Sequence, residues 1–252
     1  MEFIRYDTTS TTTILTLARA KANALNAAML AEIETALDRA AADANTRDVI
    51  LTSNQPNFFS AGFDVKEVFQ YDRPSMQRFL AAFGGLVHKL HHLPKPTVAA
   101  IPGHAFAGGA ILALACDFRI MADGEFGFAM NEINVGVVLP PLVFRLLADA
   151  AGTSHARRMV LTGEAVSPAR AKEIGLVDEV APSSEVMDRA MQLAKTLGEK
   201  PAATYRGIKA AIREATGHSE SDTGAGFEPP LDPWFTPEAE ERKRAMRAAM
   251  QK

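Results

Sequence analysis

The stretch from Gly103 to Asp117, GHAFAGGAILALACD, determines how the rest of this chain is interpreted. It follows the β-branched run Thr97–Ile101, which Pro102-Gly103 closes. The apolar segment after the glycines is long enough for a helix and contains few polar residues. The pattern predicts a strand, a glycine-marked turn and a buried helix.

Two glycines, Gly108 and Gly109, open this predicted helix. The first four N–H groups of a helix have no intrahelical partner, and the helix dipole is positive at this end. Because glycine has no side chain, a ligand oxygen can approach the bare backbone here. The alternative is that the glycines only permit close packing of the helix against a strand. This stretch alone leaves both interpretations open.

The whole chain has the composition of a globular protein. Its 252 residues suffice for one large domain, or one domain with an appendage, and 47% of them are hydrophobic. There is no run of eighteen apolar residues and no signal-peptide pattern at residues 1–6, so we expect a cytoplasmic protein with no membrane partner. A formal net charge of −3 gives no general attraction to nucleic acid, which is therefore not an expected partner.

Metal and disulfide chemistry is not expected. A single cysteine, Cys116, excludes an intrachain disulfide. Because Cys116 lies inside the apolar helix, it is predicted to be a small buried hydrophobic residue. His88, His91 and His92 stand at i, i+3 and i+4 in a predicted helix from about Pro74 to Leu93. No carboxylate completes a ligand set there, so the histidines predict a solvated helix end and no metal site.

The remaining segments carry strand, helix and linker patterns. Apolar runs predict strands, and apolar residues at helical spacing predict helices. The segment 217–233, rich in Gly, Ser, Asp and Pro, predicts a flexible linker. The other predicted elements are a hairpin of Glu2–Asp7 and Thr12–Leu17, a helix from about Ala27 to Ala42, strands Asp48–Ser53, Phe118–Met121 and Val177–Val180, and helices from Pro141 to about Ala150, from Ala169 to Ile174, from Ser183 onward and after Thr236-Pro237.

Three further features suggest where a ligand binds. The loop 18–26, ARAKANALN, carries Arg19 and Lys21, which suit phosphate groups but equally suit a solvated loop. Ala61-Gly62-Phe63 predicts a tight turn before a helix that Asp64 caps. Glu132 lies in an otherwise apolar neighbourhood, where a carboxylate is either a capping residue or a working base.

Three segments together resemble the crotonase (enoyl-CoA hydratase/isomerase) superfamily: FFSAGFDVKE at 58–67, IPGHAFAGGAILALACDFRIMAD at 101–123 and NEINVGVVLP at 131–140. The similarity extends from about Asn23 to the C-terminus. It implies an α/β fold, the crotonase (ClpP-like) spiral of ββα units, in residues 1–200. It also implies a C-terminal helical oligomerisation region in residues 201–252, and a homotrimer or hexamer.

The resemblance also implies the catalytic groups. In the family, two backbone N–H groups form an oxyanion hole for an acyl-CoA thioester, and the matching positions here are Phe63 and Gly108. Such donors stabilise the negative charge that develops on the thioester oxygen. Glu132 matches the position of a catalytic glutamate. The resemblance implies no separate cofactor, because coenzyme A is part of the substrate, and it places the protein in fatty acid metabolism.

Further site residues follow from the resemblance in the same way. Residues predicted to hold coenzyme A are Arg19, Lys21, Ala22, Ala61, Asp64 and Lys209, although Asp64 also suits a helix cap. Residues predicted to line the acyl pocket, because they are apolar and flank the site, are Phe69, Phe79, Phe83, Ile111 and Leu139.

One departure from the family pattern indicates which reaction to expect. Hydratases of the family carry a second glutamate at the position that Ile111 occupies here. Isoleucine can neither hold a water nor donate a proton, so the chain most resembles the delta-3, delta-2 enoyl-CoA isomerases. Alternatives are a hydratase that uses Glu132 alone, a hydrolase or decarboxylase, or a catalytically silent CoA-binding or RNA-binding scaffold.

Overall fold

The protein contains two β-sheets, described by a computed structural model for residues 1–217 and 229–249. The larger sheet has the spatial order β1-β2-β3-β5-β7-β10; its first two strands pair antiparallel and all other neighbours pair parallel. Its strands are β1 Ile4–Thr9, β2 Thr12–Leu17, β3 Asp48–Ser53, β5 Thr97–Ile101, β7 Phe118–Ala122 and β10 Glu179–Ala181.

The smaller sheet has the order β4-β6-β8-β9, with β9 antiparallel to β8. Its strands are β4 Phe58–Ser60, β6 His104–Phe106, β8 Phe128–Ala129 and β9 Ala165–Val166. From β3 to β8 the chain places consecutive strands alternately in the larger and the smaller sheet. This alternation, with helices between the strand pairs, confirms the predicted α/β spiral of ββα units.

The helices cover the sheets. They are α1 Ala27–Ala42, α2 Val65–Val68, α3 Arg73–His91, α4 Gly108–Ala115, α5 Pro141–Ala151, α6 Thr153–Thr162, α7 Pro168–Glu173, α8 Val186–Gly198, α9 Ala202–Ala215 and α10 Pro237–Ala249, with 3-10 turns at Glu132–Val135 and Asp232–Phe235. In the described part of the chain, none of these helices has the length and apolarity that crossing a membrane requires.

Helix α4, the helix predicted from the opening stretch, is the centre of the core. All of its residues are buried, and it packs against α3, α5 and β6. A helix that is covered on every side needs no polar face, which explains why its sequence is apolar throughout. Its N-terminal end, at Gly108, lies beside the smaller sheet, so the core itself fixes where that end points.

Several predicted elements differ in detail from the structure. The helix predicted from about Pro74 begins at Arg73, because Asp72 accepts a hydrogen bond from the Ser75 N–H. The strand predicted at Val177–Val180 is instead Glu179–Ala181. Helix α6 and the strands of the smaller sheet were not predicted: the strands are runs of two or three residues, which carry no periodic signal, and only Ala156 and Met159 of α6 are buried.

The predicted linker at 217–233 is partly wrong. Residues 232–235 form a 3-10 turn in which Trp234 is buried, and residues 218–228 lie outside the described part of the chain. The region after residue 200 contributes α9 and α10. Helix α10 packs on the Glu132–Val135 turn, since a Cβ built on Gly136 would lie 3.4 Å from the Ala239 Cβ. The division at residue 200 and the oligomerisation role stay predictions.

Candidate active site

The turn Ala61-Gly62-Phe63 lies against the beginning of α4. Gly62 has φ +88°, a backbone conformation that side chains disfavour. A Cβ at Gly62 would also lie 2.9 Å from the Ala107 Cβ and 3.3 Å from the Gly108 nitrogen. Glycine is therefore required both by the backbone conformation and by the close approach of the two segments.

Hydrogen bonds to Leu25 determine how the N–H of Phe63 is directed. Leu25 donates its N–H to the Gly62 carbonyl at 2.7 Å, and Asp64 donates its N–H to the Leu25 carbonyl at 2.7 Å. In this parallel bridge the residue between Gly62 and Asp64 points its backbone groups away from Leu25. The N–H of Phe63 thus takes no part in the bridge.

Gly108 is the first residue of α4, so its N–H has no intrahelical acceptor. The Phe63 ring covers this position, since a Cβ at Gly108 would lie 2.9 Å from the Phe63 Cε1. The structure therefore brings together the two backbone positions that the resemblance implies. Between the turn and the helix, Ala107 has φ +46°, which a non-glycine residue adopts only when its surroundings impose it.

Ala107 also links the start of α4 to the segment before Glu132. Its N–H donates to the Ala129 carbonyl at 2.9 Å, which joins the chain before α4 to the end of β8. Shortly after Ala129 the chain forms the 3-10 turn that begins at Glu132. The pairing of β6 with β8 thereby positions Glu132 relative to the N-terminal end of the central helix. The sequence did not single out Ala107, because alanine carries no signal of a strained backbone.

The Glu132 side chain is buried, with 5% of its surface exposed. Within the described residues, neither carboxylate oxygen has a hydrogen-bond partner. Burial raises the pKa of Glu132 to about 7; the nearby backbone N–H of the same residue, which does not meet hydrogen-bond geometry, lowers it by less. A carboxyl group with this pKa exchanges a proton near neutral pH, as a general base requires.

An aromatic cluster surrounds Phe63. Its ring lies 4.9 Å from the Phe79 ring and 4.8 Å from the Phe83 ring, both edge-on. Phe69 packs instead on Trp234, with ring centroids 5.6 Å apart. The sequence did not predict Trp234, since nothing local connects it to this site.

The two other residues predicted for the acyl pocket come from different elements. Ile111 is buried in α4, and Leu139 is half-buried and packs on the core. The five predicted pocket residues thus lie within or against one hydrophobic core, and Phe79 and Phe83 contact the Phe63 turn directly.

The residues predicted for coenzyme A form one connected group, except Lys209. The Ala61 N–H donates to the Ala22 carbonyl at 2.9 Å, which joins the turn to the 18–26 loop. Arg19 and Asp64 form an ion pair at 2.6 Å, and Asp64 also caps α2 by accepting from the Lys66 N–H. Lys21 is exposed. Contact of these residues with coenzyme A stays a prediction.

Lys209, also predicted for coenzyme A, lies apart from this group. Its ammonium is buried, bonded to the Asp117 carboxylate at 2.7 Å and to the Lys95 carbonyl at 3.0 Å. Both Lys209 and Asp117 line a cavity of about 480 Å³ at the end of α4 opposite Gly108. A lysine held in this way neutralises Asp117, and its contact with a phosphate of coenzyme A stays a prediction. Asp117 also forms an ion pair with Arg213, so this carboxylate joins the end of α4 to α9.

The three histidines singled out from the sequence lie at the end of α3, where the His88 and His92 rings stack at 4.0 Å. Across the ranges 1–217 and 229–249, no group of three or more His, Cys, Asp or Glu side chains could hold a metal ion. The candidate site therefore consists of a buried carboxylate, two backbone positions at a glycine turn and a helix start, and an aromatic wall.

Known proteins share both the sequence and the fold. The chain is 32% identical over 195 residues to the mitochondrial enoyl-CoA delta isomerase 1 of Rattus norvegicus, which covers 77% of this chain and 68% of the rat protein. It is 34% identical over 203 residues to a putative enoyl-CoA hydratase of Thermus thermophilus, covering 79% of each. The crystal structure of human mitochondrial delta3-delta2-enoyl-CoA isomerase matches with a TM-score of 0.90 at 25% identity, over 99% of this chain and 98% of that chain.

The sequence profile described as enoyl-CoA hydratase/isomerase matches residues 7–243, which is nearly the whole chain. Together with the spiral of ββα units, this match shows that the chain belongs to the enoyl-CoA hydratase/isomerase family and has the crotonase fold.

Proposed function

We propose that this enzyme is an enoyl-CoA isomerase, which moves the double bond of a 3-enoyl-CoA to the 2-trans position. The observation that carries the proposal is that the chain has a carboxylate at Glu132 but an isoleucine at position 111. Glu132 is a buried carboxylate with a pKa of about 7, whereas Ile111 stands at the position where, by the family resemblance, hydratases carry their second glutamate. One acid–base group is sufficient for isomerisation but leaves water addition without its second partner.

The mechanism uses Glu132 twice. Its carboxylate removes a proton from C2, and the negative charge passes to the thioester oxygen of the resulting dienolate. The N–H groups of Phe63 and Gly108 form the proposed oxyanion hole that binds this oxygen. The Glu132 carboxylic acid then returns the proton at C4, so the double bond shifts without loss or gain of atoms. A pKa near 7 suits both the base and the acid role.

A spectrophotometric assay of trans-3-hexenoyl-CoA, compared with the Glu132→Gln variant, tests the proposal. Appearance of the conjugated 2-enoyl thioester is expected with the natural enzyme, and a loss of about 10² to 10⁴-fold with the variant. Glutamine has nearly the same shape but cannot accept the proton. Equal rates for the two proteins would show that Glu132 is not the base.

Hydration is the second candidate, because a putative enoyl-CoA hydratase is among the similar proteins. Crotonyl-CoA in ¹⁸O-labelled water separates the two reactions, since only hydration places the label in a 3-hydroxyacyl product. Efficient label incorporation would favour a hydratase that uses Glu132 alone. A hydrolase would instead release free coenzyme A, and a decarboxylase would require a carboxylated acyl group.

We also propose that the enzyme is a homotrimer or hexamer in the cytoplasm and uses no cofactor beyond the coenzyme A of its substrate. The proposed acid–base steps require no further group. The oligomer is supported by Ile208 and Ile212, one helical turn apart on α9 and 57% and 58% exposed. Light scattering should give three or six times 27.1 kDa, and a mass of 27.1 kDa would contradict it.

A further inference from the structure

Ser60, the last residue of β4, connects two segments of the site through its side chain. The side chain is fully buried. Its hydroxyl donates to the Asn23 carbonyl at 2.8 Å and accepts from the Gly62 N–H at 3.2 Å. A single hydroxyl group therefore uses both its donor and its acceptor capacity to join the 18–26 loop to the glycine turn.

Ser60 also contacts the central helix. A Cβ built on Gly109 would lie 2.6 Å from the Ser60 Cβ and 2.8 Å from its hydroxyl oxygen. Helix α4 thus begins directly against Ser60, and only glycine fits at position 109. The same residue touches the loop, the turn and the helix start.

The loop that Ser60 holds has an unfavourable backbone. Lys21, Ala22 and Asn23 have φ values of 61°, 67° and 49°, in the left-handed region that non-glycine residues disfavour. The buried Asn23 side chain accepts from the Arg19 N–H at 2.8 Å and donates to the Phe59 carbonyl at 3.1 Å. Such a conformation persists only where surrounding bonds impose it, and the bond from Ser60 to Asn23 is one of them.

We propose that Ser60 is a positioning residue for the oxyanion hole: its hydroxyl holds the Gly62 turn so that the N–H of Phe63 stays aligned with that of Gly108. This inference rests on the proposed function. Donors act on a developing oxyanion only if their direction is set before the reaction, and a displacement of about 1 Å can cost about 100-fold in rate. No hydrogen bond between Ser60 and Glu132 exists in the described structure, so proton transfer itself is not the affected step.

The test compares Ser60→Ala with Thr13→Val. Thr13 is a matched control, because its buried hydroxyl bonds to Thr46 at 2.7 Å in a different part of the fold. On trans-3-hexenoyl-CoA, Ser60→Ala is expected to lower kcat about 10- to 100-fold, with KM changed less than about 3-fold. The midpoint of the pH–rate profile should not move, and Thr13→Val should keep the natural kcat.

An infrared measurement detects directly how strongly the oxyanion hole binds the thioester oxygen. Hexanoyl-CoA labelled with ¹³C at the thioester carbonyl can be neither isomerised nor hydrated, and hydrogen bonds to its oxygen lower the carbonyl stretching frequency. The natural enzyme should lower this frequency on binding, and Ser60→Ala should lower it less. If Ser60→Ala does not fold, Ser60→Cys replaces it. A thiol forms only weak hydrogen bonds, so Ser60→Cys should lower kcat and reduce the frequency shift, each by less than is expected for Ser60→Ala.

Two results would overturn the inference. A natural kcat and an unchanged carbonyl frequency in Ser60→Ala would mean that the hydroxyl does not position the turn. An equal loss of kcat in Thr13→Val would mean that any lost buried hydroxyl bond has this effect. Failure of the proposed function is distinguishable, because the natural enzyme would then not convert trans-3-hexenoyl-CoA to the 2-enoyl thioester, whereas the carbonyl frequency of bound hexanoyl-CoA would still test the oxyanion hole.

Discussion

Replacing Glu132 by glutamine should stabilise the folded protein at neutral and alkaline pH. The Glu132 carboxylate is 5% exposed and has no hydrogen-bond partner in the residues that the structure describes. Burial raises its pKa from a glutamate's ordinary 4.5 to about 7. The folded state therefore disfavours the charged form relative to the unfolded chain, in which the side chain is in water.

The sign and the magnitude follow from these two pKa values. Below pH 4.5 the carboxyl is protonated in both states and has no effect on stability. Between pH 4.5 and 7 only the folded state keeps the proton, so stability falls by about 1.4 kcal/mol per pH unit. Above pH 7 both states are ionised, and the destabilisation stays at about 3 kcal/mol. Glutamine does not ionise, so the variant escapes this loss.

The assay is urea unfolding of both proteins at pH 4 and pH 8, at one protein concentration. The difference in unfolding free energy, variant minus natural protein, should be about 3 kcal/mol larger at pH 8 than at pH 4. Comparing the two pH values cancels the pH-independent effect of the amide. Glu125→Gln, at an exposed position, controls for the change in net charge. A difference that is the same at both pH values would refute the burial of a titrating Glu132.

Three further predictions concern the same site and its surroundings. Because Glu132 acts as a base only when ionised, kcat/KM for isomerisation should rise with pH, with a midpoint near 7, and then level off; a profile flat from pH 6 to 8 would contradict this. Gly62→Ala should lower the free energy of unfolding by about 1 to 3 kcal/mol and also lower kcat, because its φ is +88° and the new Cβ would lie 2.9 Å from the Ala107 Cβ. Lys209→Met should leave KM for the acyl-CoA unchanged but cost about 1 to 3 kcal/mol of stability, since it removes one partner of the buried Asp117; a large rise in KM would instead support contact of Lys209 with a phosphate of coenzyme A.

Much of the site could be predicted from the sequence because its parts are local. Gly62 and Gly108 mark a turn and a helix start, and these depend on the conformational freedom of single residues. The apolar run after Gly108 predicts a buried helix without knowledge of what covers it. The assignment of Glu132 as the catalytic base needed the family motif as well, since a carboxylate in an apolar segment can also be a helix-capping residue.

Other parts could not be predicted because they depend on distant segments. Trp234 meets Phe69 only through the packing of the C-terminal region. The role of Ser60 arises from contacts with Asn23 and Gly109, which lie on either side of it in the sequence. A serine at the end of a short strand gives no local sign of such contacts.

The sequence by itself determined the glycine turn and, through its resemblance to the family, the spiral of strands and helices, because the turn follows from residue type and the family from its three motifs. Only the tertiary structure decided that Lys209 is bound to Asp117, that Arg19 pairs with Asp64 and that Glu132 is buried among the described residues without a partner. The physical reason is that charge pairing and desolvation depend on which segments meet in space, and the cost of burying a carboxylate exists only once the surrounding chain has excluded water.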